Sequence, residues 1–157
     1  FKNKIMEPKF TEKKGFKVAG LKYVGKTPQP DIGLLWDKFV PRMNEPKNRI
    51  NPHTSYGVCY DMDAEGNIYY IAGVEVSDFD NLPDGFDTVE IPDNKYAVFT
   101  HKGSIVNFPE TIGYVYGKWV NDPANNKKFD APDFELYDER FKADAEDSEC
   151  DLYVSVK

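Results

Sequence analysis

Asp133-Phe134-Glu135-Leu136-Tyr137-Asp138 is the stretch whose residue types and spacing best suit binding chemistry. A β-strand sends successive side chains to opposite faces, so Phe134 and Leu136 share one face and Glu135 and Tyr137 the other. Half a chain earlier, Tyr56-Gly57-Val58-Cys59-Tyr60 repeats the alternation, with Gly57 in the place of Glu135 and Cys59 in that of Tyr137. One copy offers a carboxylate where the other offers empty space. Such a pair suits a cleft that takes a ligand over Gly57 and holds it with Glu135. A carboxylate walled by aromatic rings has a raised pKa and prefers an organic cation as partner. Alternation alone favours a plainer outcome, in which Glu135 faces water while Phe134 and Leu136 face the core.

Trp36 and Phe39, and likewise Tyr116 and Trp119, stand at i, i+3 spacing, so each pair shares a helix face. That stripe serves equally as ordinary core or as the two walls of a central seam. His53 sits in a loop beside Pro52, and His101 has no Ser or Cys partner at a motif spacing. The two cysteines, Cys59 and Cys150, form no Cys-x-x-Cys pair, which argues against zinc and for a reducing compartment. Phosphate-loop, dinucleotide, nucleophile-elbow and metal motifs are all missing, so the residues imply no cofactor and no metal. A net charge of −7 argues against direct contact with nucleic acid and favours cationic ligands. No apolar run approaches the roughly 18 residues of a membrane span, and no secretory signal is visible, so the expectation is a cytoplasmic chain away from membranes.

The elements that must position these residues repeat. Ile32-Gly33-Leu34-Leu35-Trp36-Asp37-Lys38-Phe39-Val40 aligns with Ile112-Gly113-Tyr114-Val115-Tyr116-Gly117-Lys118-Trp119-Val120, with four of nine positions identical at an offset of 80 residues. At the same offset Phe16 meets Tyr96, and Val18 meets Val98. A duplication of this size implies two half-domains with a ligand cleft at their seam.

The spacing predicts a strand in 15–26, a helix over 33–43 capped by Asp31 and shortened by Pro41, and strands over 54–63 and 68–76 joined by a turn at Gly66. After a linker at 77–85, it predicts a short strand over 87–91, a strand over 95–101, and a helix over 109–120 capped by Asn107. Strands over 133–140 and 151–156 follow, with a solvated, mobile acidic loop over 142–150 between them. The fold class is α+β: duplicated β-α-β-β units forming an antiparallel sheet, with two main helices around a central groove. Residues 1–7 read as a leader or linker remnant. One domain over 8–157 follows, with halves at about 8–80 and 81–157.

With these elements in order, Tyr56-Gly57-Val58-Cys59, Ala72-Gly73-Val74-Glu75-Val76, Lys95-Tyr96-Ala97-Val98-Phe99, the Trp119 helix end and Phe134-Glu135-Leu136-Tyr137-Asp138 together resemble the GyrI-like family. That family includes effector-binding domains of AraC- and MerR-type drug-responsive transcription regulators, and stand-alone small-molecule-binding proteins. The resemblance implies two β-α-β-β units around a groove, with Glu135 meeting a ligand's positive charge and aromatic residues as walls. The ligand-binding residues are then Glu135, Tyr137, Trp119, Tyr116, Trp36, Phe39, Gly57 and Cys59. The partner is an amphipathic, cationic or aromatic small molecule, and DNA is reached only through a separate domain. Two alternatives stay open. Some stand-alone members hydrolyse cyclopropane-bearing electrophiles, which would make Glu135 a general base with Tyr137 beside it. Gyrase-inhibiting relatives instead fill the groove with a protein partner.

Overall fold

The computed structural model describes residues 5–26 and 30–157. Eight strands form one antiparallel sheet: β1 (Lys9–Lys13), β2 (Phe16–Gly25), β3 (Ser55–Met62), β4 (Ile68–Val76), β5 (Asp87–Ile91), β6 (Asn94–Lys102), β7 (Asp133–Tyr137) and β8 (Glu149–Val156). Helix α1 (Pro30–Phe39) joins β2 to β3, and α2 (Phe108–Gly117) lies between β6 and β7. The expected α+β duplication is therefore present, as β2-α1-β3-β4 and β6-α2-β7-β8. The sheet order is β1-β6-β8-β7-β3-β4-β2-β5, symmetric about the β7–β3 pair.

The edges carry a feature that the sequence analysis lacks. β1 runs directly into β2 but pairs with β6 of the other half, while β5 runs into β6 but pairs with β2. Each half has lent its first strand to its neighbour. Residues 14–15 and 92–93 are the only links between strands at opposite ends of the sheet order. A link of two residues reaches only about 10 Å, so the sheet must roll until its edges meet. The crossing is tied by the Gly15 amide, which donates to Asp93 Oδ1 at 2.6 Å. Gly15 is required there, because a Cβ would stand 2.7 Å from the Ile91 carbonyl oxygen.

The roll buries one face of the sheet against itself. Phe16, Tyr56, Tyr96 and Phe134 pack there with Val18, Val58, Ile71 and Ile91, all under 8% exposed. Phe16 meets Phe134 at 5.4 Å between ring centroids although β4 and β3 separate their strands. Both helices lie on the other face. α1 covers Ala19, Ala72, Val74 and Val76 with Leu35 and Phe39, and α2 covers Ala97, Phe99, Leu152 and Val154 with Val115, helped by Trp119 just beyond its end. Burying one such side chain is worth about 1.5–3 kcal/mol, so these two clusters fix where the helices sit. Between the helices runs the β3–β7 pair.

Several boundaries move. α1 gives way to a 3-10 turn over 40–42 at Pro41, which has no N–H to continue the helix. The chain is already helical at Pro30, ahead of the expected Asp31 cap, and the Asp31 side chain lies outside the described residues, as do residues 1–4 of the leader. Asn107 precedes α2 without capping it. The capping side chain is Ser104, which accepts from the Val106 amide and opens a 3-10 turn before α2. α2 stops at Gly117, and Trp119 begins a separate 3-10 turn. β7 ends at Tyr137, three residues short of expectation, because Asp138 accepts both the amide and the guanidinium of Arg140 and turns the chain. The acidic loop expected over 142–150 ends at Ser148, where β8 begins two residues early, and it is anchored: Ser148 is 1% exposed, its hydroxyl accepts the Lys142 amide, and its carbonyl accepts the Gly103 amide.

Candidate functional site

The groove floor is the β3–β7 ladder. Gly57 pairs with Glu135, Cys59 with Asp133 and Ser55 with Tyr137, so these six residues share one face. It is the helix-bearing face, since Ala72 and Leu152, the other neighbours of Gly57 and Glu135, lie in the helix-side clusters. Glu135 thus stands at the pseudo-two-fold centre of the sheet and between the helices, not out in bulk water.

Three ring side chains close around its carboxylate. Tyr137 donates from its hydroxyl to Glu135 Oε1 at 2.7 Å, and Tyr70 donates to the same oxygen at 2.9 Å. The Trp36 indole N–H donates to Tyr70 Oη at 2.9 Å, and its ring meets Tyr137 edge-on at 5.3 Å. Oε2 receives no hydrogen bond from any described residue, and none of the ion pairs among those residues involves Glu135. Burial pushes the Glu135 carboxyl above its usual range, and the two tyrosine donors offset only part of that effect. Tyr70 and Tyr137 are pushed well above the usual phenol value, first by burial and then by the Glu135 charge, so both remain proton donors.

Gly57 plays a different part from the expected one. The space above it is not left for a ligand; Tyr70 and Glu135 fill it. A Cβ on Gly57 would stand 2.0 Å from Tyr70 Oη and 2.6 Å from Glu135 Oε1. The missing side chain in one half is what allows a tyrosine and a carboxylate to meet across β3. Tyr70 is the site residue that the sequence analysis missed. It lies on β4 opposite Cys59, within an apolar run whose alternation does not single it out.

The helix aromatics divide in matching pairs. Trp36 faces the groove. Tyr116, its repeat partner, donates to Asp133 Oδ2 at 2.7 Å and is 37% exposed. Phe39 and Trp119 correct the expectation that they line the groove. Phe39 is 0% exposed and packs edge-on against Trp36, while Trp119 is 9% exposed and packs on Phe99 at 5.1 Å. On a helix, residues three apart differ by about 60° in direction, enough for one to face the sheet and the other the groove. Cys59 lies in the groove floor opposite Asp133, and burial with the charges of Asp133 and Glu135 raises its thiol to about 12, so it stays protonated and unreactive. Groups of His, Cys, Asp and Glu suited to a metal are absent among the described residues. A cavity of about 570 Å³ lies against α2, lined by Met6, His101 and Tyr114, and none of the groove residues reaches it.

Known proteins share this fold. The family model Cass2, described as integron-associated effector binding protein, matches residues 9–156. The transcriptional regulator BrlR of Pseudomonas aeruginosa is 35% identical over 152 residues, covering 96% of this chain and 56% of BrlR. The chain thus spans little more than half the length of that relative. SAV2435 bound to tetraphenylphosphonium superposes with a TM-score of 0.80 at 18% identity, over 97% of this chain and 94% of that one. An integron cassette protein from the mobile metagenome of Vibrio cholerae superposes with a TM-score of 0.67 at 20% identity, over 96% of each chain. At such identities the likeness is one of fold, and it agrees with the GyrI-like resemblance read from the residues. The family match extends over almost the whole length, and the chain belongs to the Cass2 family of integron-associated effector binding proteins.

Proposed function

We propose that the chain binds amphipathic aromatic cations in the groove, with Glu135 as counter-charge. The observation that carries this reading is a carboxylate among aromatic rings, with one oxygen held by two phenols and the other without a partner among the described residues. A desolvated carboxylate without a cation is costly, and a ligand cation beside Oε2 relieves that cost. Tetraphenylphosphonium, bound by SAV2435, is a ligand of this chemistry in this fold. Aromatic walls add cation–π attraction. BrlR, a transcriptional regulator longer than this chain, supports a role as the sensor part of a regulator. Any DNA contact then lies in a separate domain, in the cytoplasm. The chain has no helix long and apolar enough to cross a membrane among its described residues.

The test is titration of wild type and Glu135→Gln with tetraphenylphosphonium by calorimetry. Loss of a desolvated charge pair costs about 2–5 kcal/mol, so the variant should bind at least about tenfold more weakly. Equal affinity in the two proteins refutes the reading.

The free Oε2 and the raised carboxyl pKa also favour a second reading, hydrolysis of electrophilic small molecules with Glu135 as general base and Tyr137 as its hydrogen-bond partner. Base catalysis contributes about 10²–10⁴-fold, so single turnover of an activated cyclopropane should slow by that factor in Glu135→Gln. Absence of turnover in the wild type leaves binding alone.

A further inference from the structure

The floor of the groove carries a second carboxylate. Asp133 lies two residues before Glu135 on β7 and on the same face, which puts their Cα atoms about 7 Å apart. The fields of both reach Cys59 and Tyr116. Their surroundings differ. Asp133 Oδ1 accepts from Lys127 Nζ at 2.9 Å and from the Ser155 amide at 2.8 Å, and Oδ2 accepts from Tyr116 Oη at 2.7 Å. The Lys127 and Asp133 side chains are 6% and 12% exposed, so little water screens that pair. Lys127 is held in place by its own Nζ donation to the Lys128 carbonyl and by its backbone bridge to Val156. Glu135 has hydroxyl donors only.

Resting on the proposed binding of aromatic cations, we infer that Lys127 sets the charge count of the ligand. By neutralising Asp133 it leaves Glu135 as the single uncompensated anion of the groove floor, and so selects singly charged aromatic cations over doubly charged ones. Two bare carboxylates on successive same-face positions of one strand would instead suit a dication whose charges are a few carbons apart. One compensated and one bare carboxylate offer a second charge nothing but the ammonium of Lys127.

Ethidium and propidium test this. Both carry the same phenanthridinium ring, and propidium adds a quaternary ammonium on a three-carbon arm. Fluorescence titrations of the whole chain yield the ratio of their affinities. Lys127→Met should shift that ratio toward propidium by about tenfold or more, as expected for a newly bared charge that gains a partner. Asp133→Asn, with Lys127 kept, should weaken both dyes, and propidium more. Lys127→Met combined with Asp133→Asn removes both charges and should restore the wild-type ratio.

An unchanged ratio in folded Lys127→Met, or an equal gain for both dyes, overturns the inference. If circular dichroism shows that Lys127→Met does not fold, the other two variants decide. A wild-type ratio in Asp133→Asn, or a shifted one in the double variant, overturns the inference equally. Failure of the underlying reading looks different. Wild type and Glu135→Gln would then bind both dyes alike, and both proposals fall together.

Discussion

Gly57→Ala is the smallest change that tests the construction of the site. The added Cβ would lie 2.0 Å from Tyr70 Oη, which must retreat by about 1.4 Å to reach the 3.4 Å of ordinary contact. Tyr70 is a rigid ring on β4, and its hydroxyl is held by Trp36 and by Glu135 at 2.9 Å each. A displacement of that size breaks both hydrogen bonds. The neutral one is worth about 0.5–1.5 kcal/mol and the one to the carboxylate about 1.5–3 kcal/mol. Alanine offsets about 0.5–1 kcal/mol through its lower chain entropy in a strand. The net loss is about 1–4 kcal/mol. With a urea slope near 2 kcal/mol/M, the midpoint should fall by about 0.5–2 M. Glu135 also loses one of the two donors that favour its charged form, so the affinity for an aromatic cation at neutral pH should fall as well. A midpoint and an affinity both equal to wild type would refute the claim that Gly57 is kept for the meeting of Tyr70 with Glu135.

Glu135→Gln should stabilise the ligand-free protein at neutral pH. The folded-state carboxyl is raised above its unfolded value, so ionised Glu135 costs stability once pH rises through the ordinary value of about 4.3. The gain in melting temperature should shrink as pH falls to 4, and a gain independent of pH would contradict the cause assigned to the shift. Cation binding should show the opposite trend, since it requires the ionised form; titrations across pH 4–8 should lose affinity as pH falls through the raised value. The chain has two tryptophans, Trp36 at the groove and Trp119 in the core. A bound cation should change the emission of wild type and Trp119→Phe but not that of Trp36→Phe, and a persisting change in Trp36→Phe would move the ligand elsewhere. Phe39→Ala should cost about 3–5 kcal/mol by denaturation because it empties a core position. A near-neutral effect would return Phe39 to the groove.

Signals that are local in the chain were legible in it. The helix repeat and the alternation of 133–137 reveal two halves and a face shared by Glu135 and Tyr137. β1 was invisible because Lys-Phe-Thr-Glu-Lys is exposed at four of five positions, so no buried face marks it. Tyr70 was missed because β4 is buried on both faces, with seven of nine residues buried, and period-two alternation vanishes there. Its role depends on Gly57, on a different strand, and on Glu135, 65 residues away. The i, i+3 spacing of Trp36 and Phe39 identifies a shared flank, yet the boundary between core and groove passes between the two rings. Lys127 carries no pattern at all. Only the fold reveals that it meets Asp133.

The lent edge strands make the two halves interdependent. Lys13 pairs with Asn94, so forming the β1–β6 ladder closes a loop of about eighty residues before its contacts repay the lost entropy. Folding should therefore be slow for the chain's size, with the groove completed late. A chain severed between β4 and β5 would yield two fragments, each retaining a strand that belongs in the other's sheet. Neither could roll its sheet alone, and mixing them should restore the rolled sheet only by exchanging those strands, as in a domain-swapped dimer. Covalent linkage has turned that dimer-like exchange into a fixed seam, and the carboxylate at its centre meets Tyr70, and through it Trp36, only when both halves are present.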